Sequence, residues 1–505
     1  MRKFLSNALI VLTALAFLPH PLLLAGTEIG QTNRSVIPRF TLEQAILTAL
    51  QRNADIQRAR QEIERAKGLY LALRAEALPR ITVDPSIQNV DPHLGSVSTG
   101  SGGAISGVPT SYSLSLQATQ ILFAGGRVVS QIRSADFQRD ASYFAFRNAI
   151  DQAIATVKQQ FYQILLNRAL VGVQEESVKL LQSQLQDQQN RFEAGTVPRF
   201  NVLQAQVALS NQYPVLITAQ NSYRIAQLQL AKTLGLYFDP ARADAAPLEA
   251  VGELQYEPRS MPLTMAVELA KERRPFLKEQ KANMLANAQQ VRVARAGYFP
   301  QFSATAGEEF RSSPISENIN AVRSGYVIGG TGTWAVWDWG ATYGAVKQAR
   351  AILSQAQITY DDAVRQVELE VQQAYSNVKQ SAELVKATEE SVGQAEEALR
   401  LASARLSAGA GTQLEVLDSR VQVTQAQSNR LQALYNYNTA QAGFDRVTAT
   451  EVVYSNKLDE PKTRQKLRTD GMPTPAPKPA PLELNGAGIR KPVGTERSTR
   501  TTSGK

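Results

Sequence analysis

The stretch VRQVELEVQQAYSNVKQSAELVKATEESVGQAEEALRLASARL, residues 364–406, decides the fold. Every seventh position in it is apolar: Val364, Val371, Val378, Val385, Val392, Leu399 and Leu406. The same series recurs 214 residues earlier as Ile150, Val157, Ile164, Val171, Val178, Leu185 and Phe192. A strict seven-residue period keeps one apolar seam turned toward partner helices and imposes a left-handed supercoil. Each seam runs roughly 63 Å at a rise of about 1.5 Å per residue, far longer than an ordinary globular helix needs. The chain is built around long helical rods, and it is built twice.

The duplication extends outward from the heptads. Upstream, Leu42, Ala45 and Pro79 match Leu263, Ala266 and Pro300 at an offset of 221. Downstream the offset is 214, as in Gly126 and Gly340, so the difference falls between Pro79 and Gly126. Each half opens with a predicted helix, 41–77 and 263–297, stopped by Leu78-Pro79 or Phe299-Pro300, because proline cannot continue a helix and forces its predecessor into an extended conformation. The period then changes to two. Ile81, Val83 and Ile87 alternate with polar neighbours, as do Tyr112, Leu114, Leu116 and Ala118, and these read as strands with one apolar and one polar face. The second half carries a weaker pair near 301–311 and 326–337, and Gly/Ser-rich loops such as 91–109 separate the strands. A long helix follows in each half, ending near Glu193 and Ser407. After a glycine turn at Gly195 or Gly409 comes a last helix, from Pro198 to Leu234 and from Gln413 to Thr448.

The predicted organisation is a signal peptide at 1–26, an N-terminal extension at 27–40 and a first repeat at 41–236 with strands within 80–122. A linker at 237–262, a second repeat at 263–448 with strands within 301–337, and a tail at 449–505 complete it. The signal reads from Arg2 and Lys3, an apolar run from Phe4 to Leu18, and small residues near Ala25-Gly26. The competing reading, a membrane anchor, is disfavoured because Pro19 and Pro21 interrupt that run before a spanning length of ~20 residues. The chain has no cysteine, which excludes disulfides, thiolate metal sites and cysteine catalysis. Its net charge of +9 is concentrated at the ends, and 454–505 alone holds 11 Lys/Arg against 5 Asp/Glu. The body is nearly neutral, which removes the main support for nucleic-acid binding. The tail, rich in proline from Pro473 to Pro481, has the composition of a disordered segment.

Four strands cannot close a transmembrane barrel, whose smallest forms have about eight. A lone sheet would leave unpaired backbone in lipid, where no water satisfies it. Membrane strands here therefore require several copies. The aromatic residues support a membrane interface: Trp334, Trp337 and Trp339 end the fourth strand, and Phe123, Tyr298 and Phe299 lie at the same end of the others. The alternative is the core of a soluble β-cap.

These features resemble the TolC-like outer-membrane efflux proteins over about Phe40 to Thr448. The resemblance rests on the Leu78-Pro79 and Phe299-Pro300 junctions, on Leu122-Phe123-Ala124-Gly125-Gly126 with its partner Trp337-Asp338-Trp339-Gly340, and on the tip segments 191–205 and 408–419. It implies a mainly α fold with a β-barrel portion: duplicated coiled-coil hairpins and four membrane strands per chain, trimerising into a twelve-stranded barrel above a twelve-helix periplasmic tunnel. It also implies an outer-membrane channel of a tripartite efflux or type I secretion system in a Gram-negative-type bacterium. The implied partners are a periplasmic adaptor protein, an inner-membrane pump and outer-membrane lipid. Carried onto this chain, the periplasmic aperture would be Glu415 and Asp418, three apart on one helix face, with Asn201 at the first-half equivalent. Gly195, Thr196, Pro198, Gly409, Gly411 and Thr412 would form the tip turns and adaptor contact. Leu406 and Gly411 stand where some members carry an aromatic and a basic latch residue, so closure here is expected to lean on helix packing. Small d-type residues in the second seam, Ala374, Ser381, Thr388, Ala395 and Ala402, would suit sliding.

An enzyme is not expected. The two histidines, His20 and His93, fall in the signal and a loop, and no phosphate loop or metal-ligand spacing is present, so neither cofactor nor metal is implied. A coiled-coil adhesin or secretion filament would explain the heptads but not strands recurring in each half. Cargo is not legible.

Overall fold

The computed structural model describes residues 38–89, 110–237, 247–259, 261–312 and 322–452, together with the backbone of 96–99 and 103–106. All of these belong to one unit, Met1–Val453. The signal segment and the tail from 453 onward lie outside the described residues, whereas 449–452, predicted as the start of the tail, pack on the body, with Glu451 paired to Lys158 Nζ at 2.6 Å.

The elements run β1 (Arg39–Phe40), α1 (Leu42–Arg52), α2 (Ala54–Ala75), β2 (Arg80–Asn89), β3 (Ser96–Thr99), β4 (Gly103–Ser106), β5 (Thr110–Ala124), α3 (Arg127–Glu193) and α4 (Arg199–Thr233). The second half continues with β6 (Glu249–Ala250), α5 (Leu263–Arg273), α6 (Pro275–Arg295), β7 (Gln301–Ser312), β8 (Val322–Thr333), α7 (Ala341–Ser407) and α8 (Gln413–Thr448). The rods α3 and α7 each have 67 residues, about 100 Å of helix. Their ends fall at Glu193 and Ser407, as the heptads predict.

The seam faces inward. Val157, Ile164 and Val371 are fully buried, Ile150, Val178 and Val385 nearly so, and only Phe192, at the tip, is exposed. Two apolar cores repeat the duplication. One packs Ala45, Ala49, Val157 and Leu230; the other packs Ala266, Ala270, Val371 and Phe444, their equivalents. The copies are not identical: fully buried Ala231 becomes Asp445, with Lys158 Nζ 3.9 Å and Arg259 Nη1 3.7 Å away. Burial pushes that carboxyl above the ordinary range, while the two cations pull it back.

Three expectations need correction. The opening helix of each repeat is two helices. In the first, Asn53 breaks the chain: its side chain accepts from the Asp55 and Ile56 amides and donates to the Thr233 carbonyl at 2.9 Å. In the second, Arg274 holds the same extended backbone because Pro275 follows it. Next, the loop 91–109 contains the short hairpin β3–β4. Last, β5 runs on to Ala124 and β8 stops at Thr333, so Trp334, Trp337 and Trp339 lie beyond the strand, in the turn into α7.

The four long strands form one antiparallel sheet in the order β2-β5-β7-β8. It mixes strands from both halves, with β2 and β8 as edges. Between the halves, β1 pairs with β6 in parallel, and Arg168 Nη1 donates to the Ala250 carbonyl at 2.7 Å, tying the linker to α3.

Candidate functional site: a two-faced sheet and two helix tips

Register sorts the sheet into two faces, because residues directly opposite each other share a face. Ile81, Val83 and Ile87 pair with Ala118, Leu116 and Tyr112. Leu114 and Ala118 meet Phe310 and Ala306, and Ala306 meets Ile328. This face is mostly apolar, with Glu308 between Leu116 and Tyr326 as a charged exception, and among the described residues of the single chain nothing covers it: Ile81, Ile87, Tyr326 and Ile328 are 70–85 % exposed. The opposite face carries Thr82, Asp84, Ser86, Ser113, Ser115, Gln117, Ser303 and Thr305. Polar on one side and exposed apolar on the other is the pattern of a barrel wall, inverted relative to a soluble sheet that buries its apolar face.

The aromatics gather at the helix-proximal end of the sheet. A bulge between Ile121 and Phe123 sets Phe123 opposite Phe302, ring centroids 6.5 Å apart. Trp334 Nε1 donates to the Tyr298 carbonyl at 3.2 Å, beside exposed Phe299. Trp337 and Trp339 stack edge to face at 5.7 Å. Asp338 caps α7 by accepting from the Gly340 amide at 3.0 Å and the Thr342 amide at 2.8 Å. Sequence reasoning missed Phe302. Its period-two alternation with Ala304 and Ala306 was the available signal.

The two tips share one geometry. Thr196 N–H donates to the Arg191 carbonyl and Gly195 N–H to Phe192; Ala410 and Gly409 do the same to Arg405 and Leu406. Both are Schellman turns, with Gly195 and Gly409 left-handed at φ 75° and 74°. Pro198 precedes α4 without a side-chain cap, whereas the Thr412 hydroxyl accepts from the Glu415 amide at 3.3 Å. A Cβ at Gly411 would lie 2.9 Å from the Leu406 amide, so glycine permits this close return.

Glu415, in the first turn of α8, pairs with Arg405 Nη2 at 3.9 Å across the turn. Asp418 is exposed one turn on and makes no ion pair among the described residues. Asn201 lies in the first turn of α4, in the other hairpin, and among the described residues no hydrogen bond joins it to either carboxylate. Sequence reasoning also missed Arg405 and Arg420. Arg420 Nη1 donates to Gln184 Oε1 at 2.9 Å on α3, and burial lowers its pKa.

With these faces and tips in place, the family model for outer membrane efflux proteins matches residues 45–236 and 266–450, most of both repeats. The chain belongs to the outer membrane efflux protein family. Its sequence is 27 % identical over 303 residues to the "Probable efflux pump outer membrane protein TtgC" of Pseudomonas putida, covering 58 % of this chain and 57 % of that one. The chain therefore spans just over half the length of that relative. It is 22 % identical over 382 residues to the "Cation efflux system protein CusC" of Escherichia coli O157:H7, covering 74 % and 78 %. Its fold is similar to the Campylobacter jejuni CmeC outer membrane channel, with TM-score 0.74, 16 % identity, and 83 % and 87 % of the two chains covered. Family membership places the protein in the outer membrane. The fold is that of the family's channels, a helical tunnel joined to a β-barrel.

Proposed function

We propose that this chain is the outer-membrane exit duct of an efflux or secretion assembly, a passive channel gated at its helix tips. One observation carries the reading: a four-stranded sheet with a bare apolar face and two free edges continues into helices of about 100 Å. An edge in lipid must pair. Three copies, joined β8 to β2, give twelve strands with the polar faces inward. The tips then converge at the far end of the tunnel, where a periplasmic adaptor docks and an inner-membrane pump supplies energy and selects cargo. One relative is named for an efflux pump and another for a cation efflux system, which suits a body that does not choose what it carries. The chain itself has no catalytic role in this reading.

Glu415 and Asp418 would set the aperture's charge, with Asp418 the stronger because Glu415 is already paired with Arg405. In planar bilayers the purified protein is expected to form cation-selective channels. Asp418→Asn should reduce that selectivity more than Glu415→Gln, as measured by reversal potential in a salt gradient. Selectivity that survives both changes together would remove the aperture assignment.

A further inference from the structure

The polar face of the sheet changes charge along its length. Toward the end far from the helices, Ser86, Ser113, Arg311 and Arg323 stand opposite one another across β2, β5, β7 and β8. Two residues further in along each strand, the same face carries Asp84, Ser115, Glu309 and Gly325. A row with two guanidinium groups thus lies outside a row with two carboxylates. From Gln301, at the aromatic end of β7, to Arg311 the strand runs roughly 33 Å. At a barrel tilt of about 40° that is a height of about 25 Å, the full depth of an apolar band, so the arginines sit at the outer rim.

Like charges directly opposite in an antiparallel pair repel, and the sheet relieves only one of these two. Arg311 Nε pairs with Glu309 Oε1 at 2.5 Å along its own strand. The exposed side chain of Arg323 makes no ion pair or hydrogen bond among the described residues. Its inward neighbour on the same face of β8 is Gly325, which offers no acceptor side chain. One guanidinium is therefore held and partly neutralised, and the one facing it is free.

We propose that Arg311 and Arg323, one pair from each of three copies, form an anion-binding ring at the outer mouth of the barrel that takes soluble phosphate-bearing polyanions. The proposal rests on the trimeric duct with its polar faces inward. A guanidinium fork matches two oxygens of a phosphate group, and cross-strand neighbours about 5 Å apart at Cβ let two forks share one phosphate. Pairs repeated around one lumen meet several phosphates of the same molecule. Lipid headgroups do not reach the ring, because it lies on the face turned away from the bilayer. The ring is opposite in sign to Glu415 and Asp418 at the helix tips, so the two ends of the duct attract opposite ions. A polyanion arriving from outside is held at the rim, and current falls while it stays.

The test is planar-bilayer recording with inositol hexakisphosphate added to one chamber at a time. The wild type should be blocked reversibly from the chamber facing the barrel and not from the one facing the tips, and less strongly as salt rises. Arg323→Ser should raise the half-blocking concentration about tenfold, in line with loss of a charge-assisted hydrogen bond. Arg323→Lys, which keeps the charge but not the fork, should fall between the two. Glu309→Gln frees Arg311 and should lower the half-blocking concentration, so damage to the barrel cannot imitate the pair. A conducting wild type that is not blocked from the barrel side, as when Asp84 of the next copy neutralises Arg323, overturns the ring and leaves the duct standing. So does a block that Arg323→Ser and Glu309→Gln leave unmoved or move the same way. A wild type that never conducts overturns the duct and the ring with it.

Discussion

Gly125 and Trp339 occupy equivalent places in the two repeats and share a left-handed backbone, φ +58° and +54°. Their surroundings differ. A Cβ at Gly125 would come within 2.8 Å of the Ala296 carbonyl and of the Phe299 Cβ, whereas Trp339 is 89 % exposed. The first site therefore forbids a side chain twice over, by backbone conformation and by space, and the second tolerates one at a conformational cost of roughly 1–2 kcal/mol. That cost places an indole beside Trp337 at the end of the sheet, where amphipathic rings suit a membrane interface. Gly125→Ala is expected to destabilise the detergent-solubilised protein by about 2–4 kcal/mol, and Trp339→Gly to leave it equal or slightly more stable, as thermal unfolding would register. Equal losses in both would contradict this account.

At the scale of elements, the rods were legible because a seven-residue period is a property of sequence alone. Their ends were legible too, since Gly195 and Gly409 close Schellman turns by local geometry. The break at Asn53 was not. Asparagine suits a helix cap, but only the carbonyl of Thr233, brought in by tertiary packing, makes this one a junction. Its counterpart Arg274 reaches the same backbone through Pro275 and pairs instead with the Glu370 carboxylate. One joint is thus built by a cap and the other by a proline. Asn53→Ala should cost about 1–2 kcal/mol, again by thermal unfolding, because it removes the α2 cap and the tie to α4. The contact of Arg420 with α3 was likewise invisible in sequence, since its partners lie 236 and 240 residues away.

For the whole molecule, the decisive asymmetry is between the two faces of the sheet. Ile328 lies on the apolar face and Thr305 on the polar one. Ile328→Lys should oppose insertion by up to about 2–4 kcal/mol per copy, while Thr305→Lys should assemble normally. Fractionation of outer membranes and gel migration of the unheated oligomer would distinguish them, and equal tolerance would deny that the apolar face meets lipid. Sequence by itself determined the duplication, the rods, the two-faced strands and the need for further copies, because periodicity and the obligation to pair backbone groups are local constraints. Only the tertiary structure decided that strands from both repeats join one sheet, that Glu415 is paired across its turn, and that the two hairpins meet at Arg420. Each of these depends on which distant segments pack together, and no local pattern encodes that.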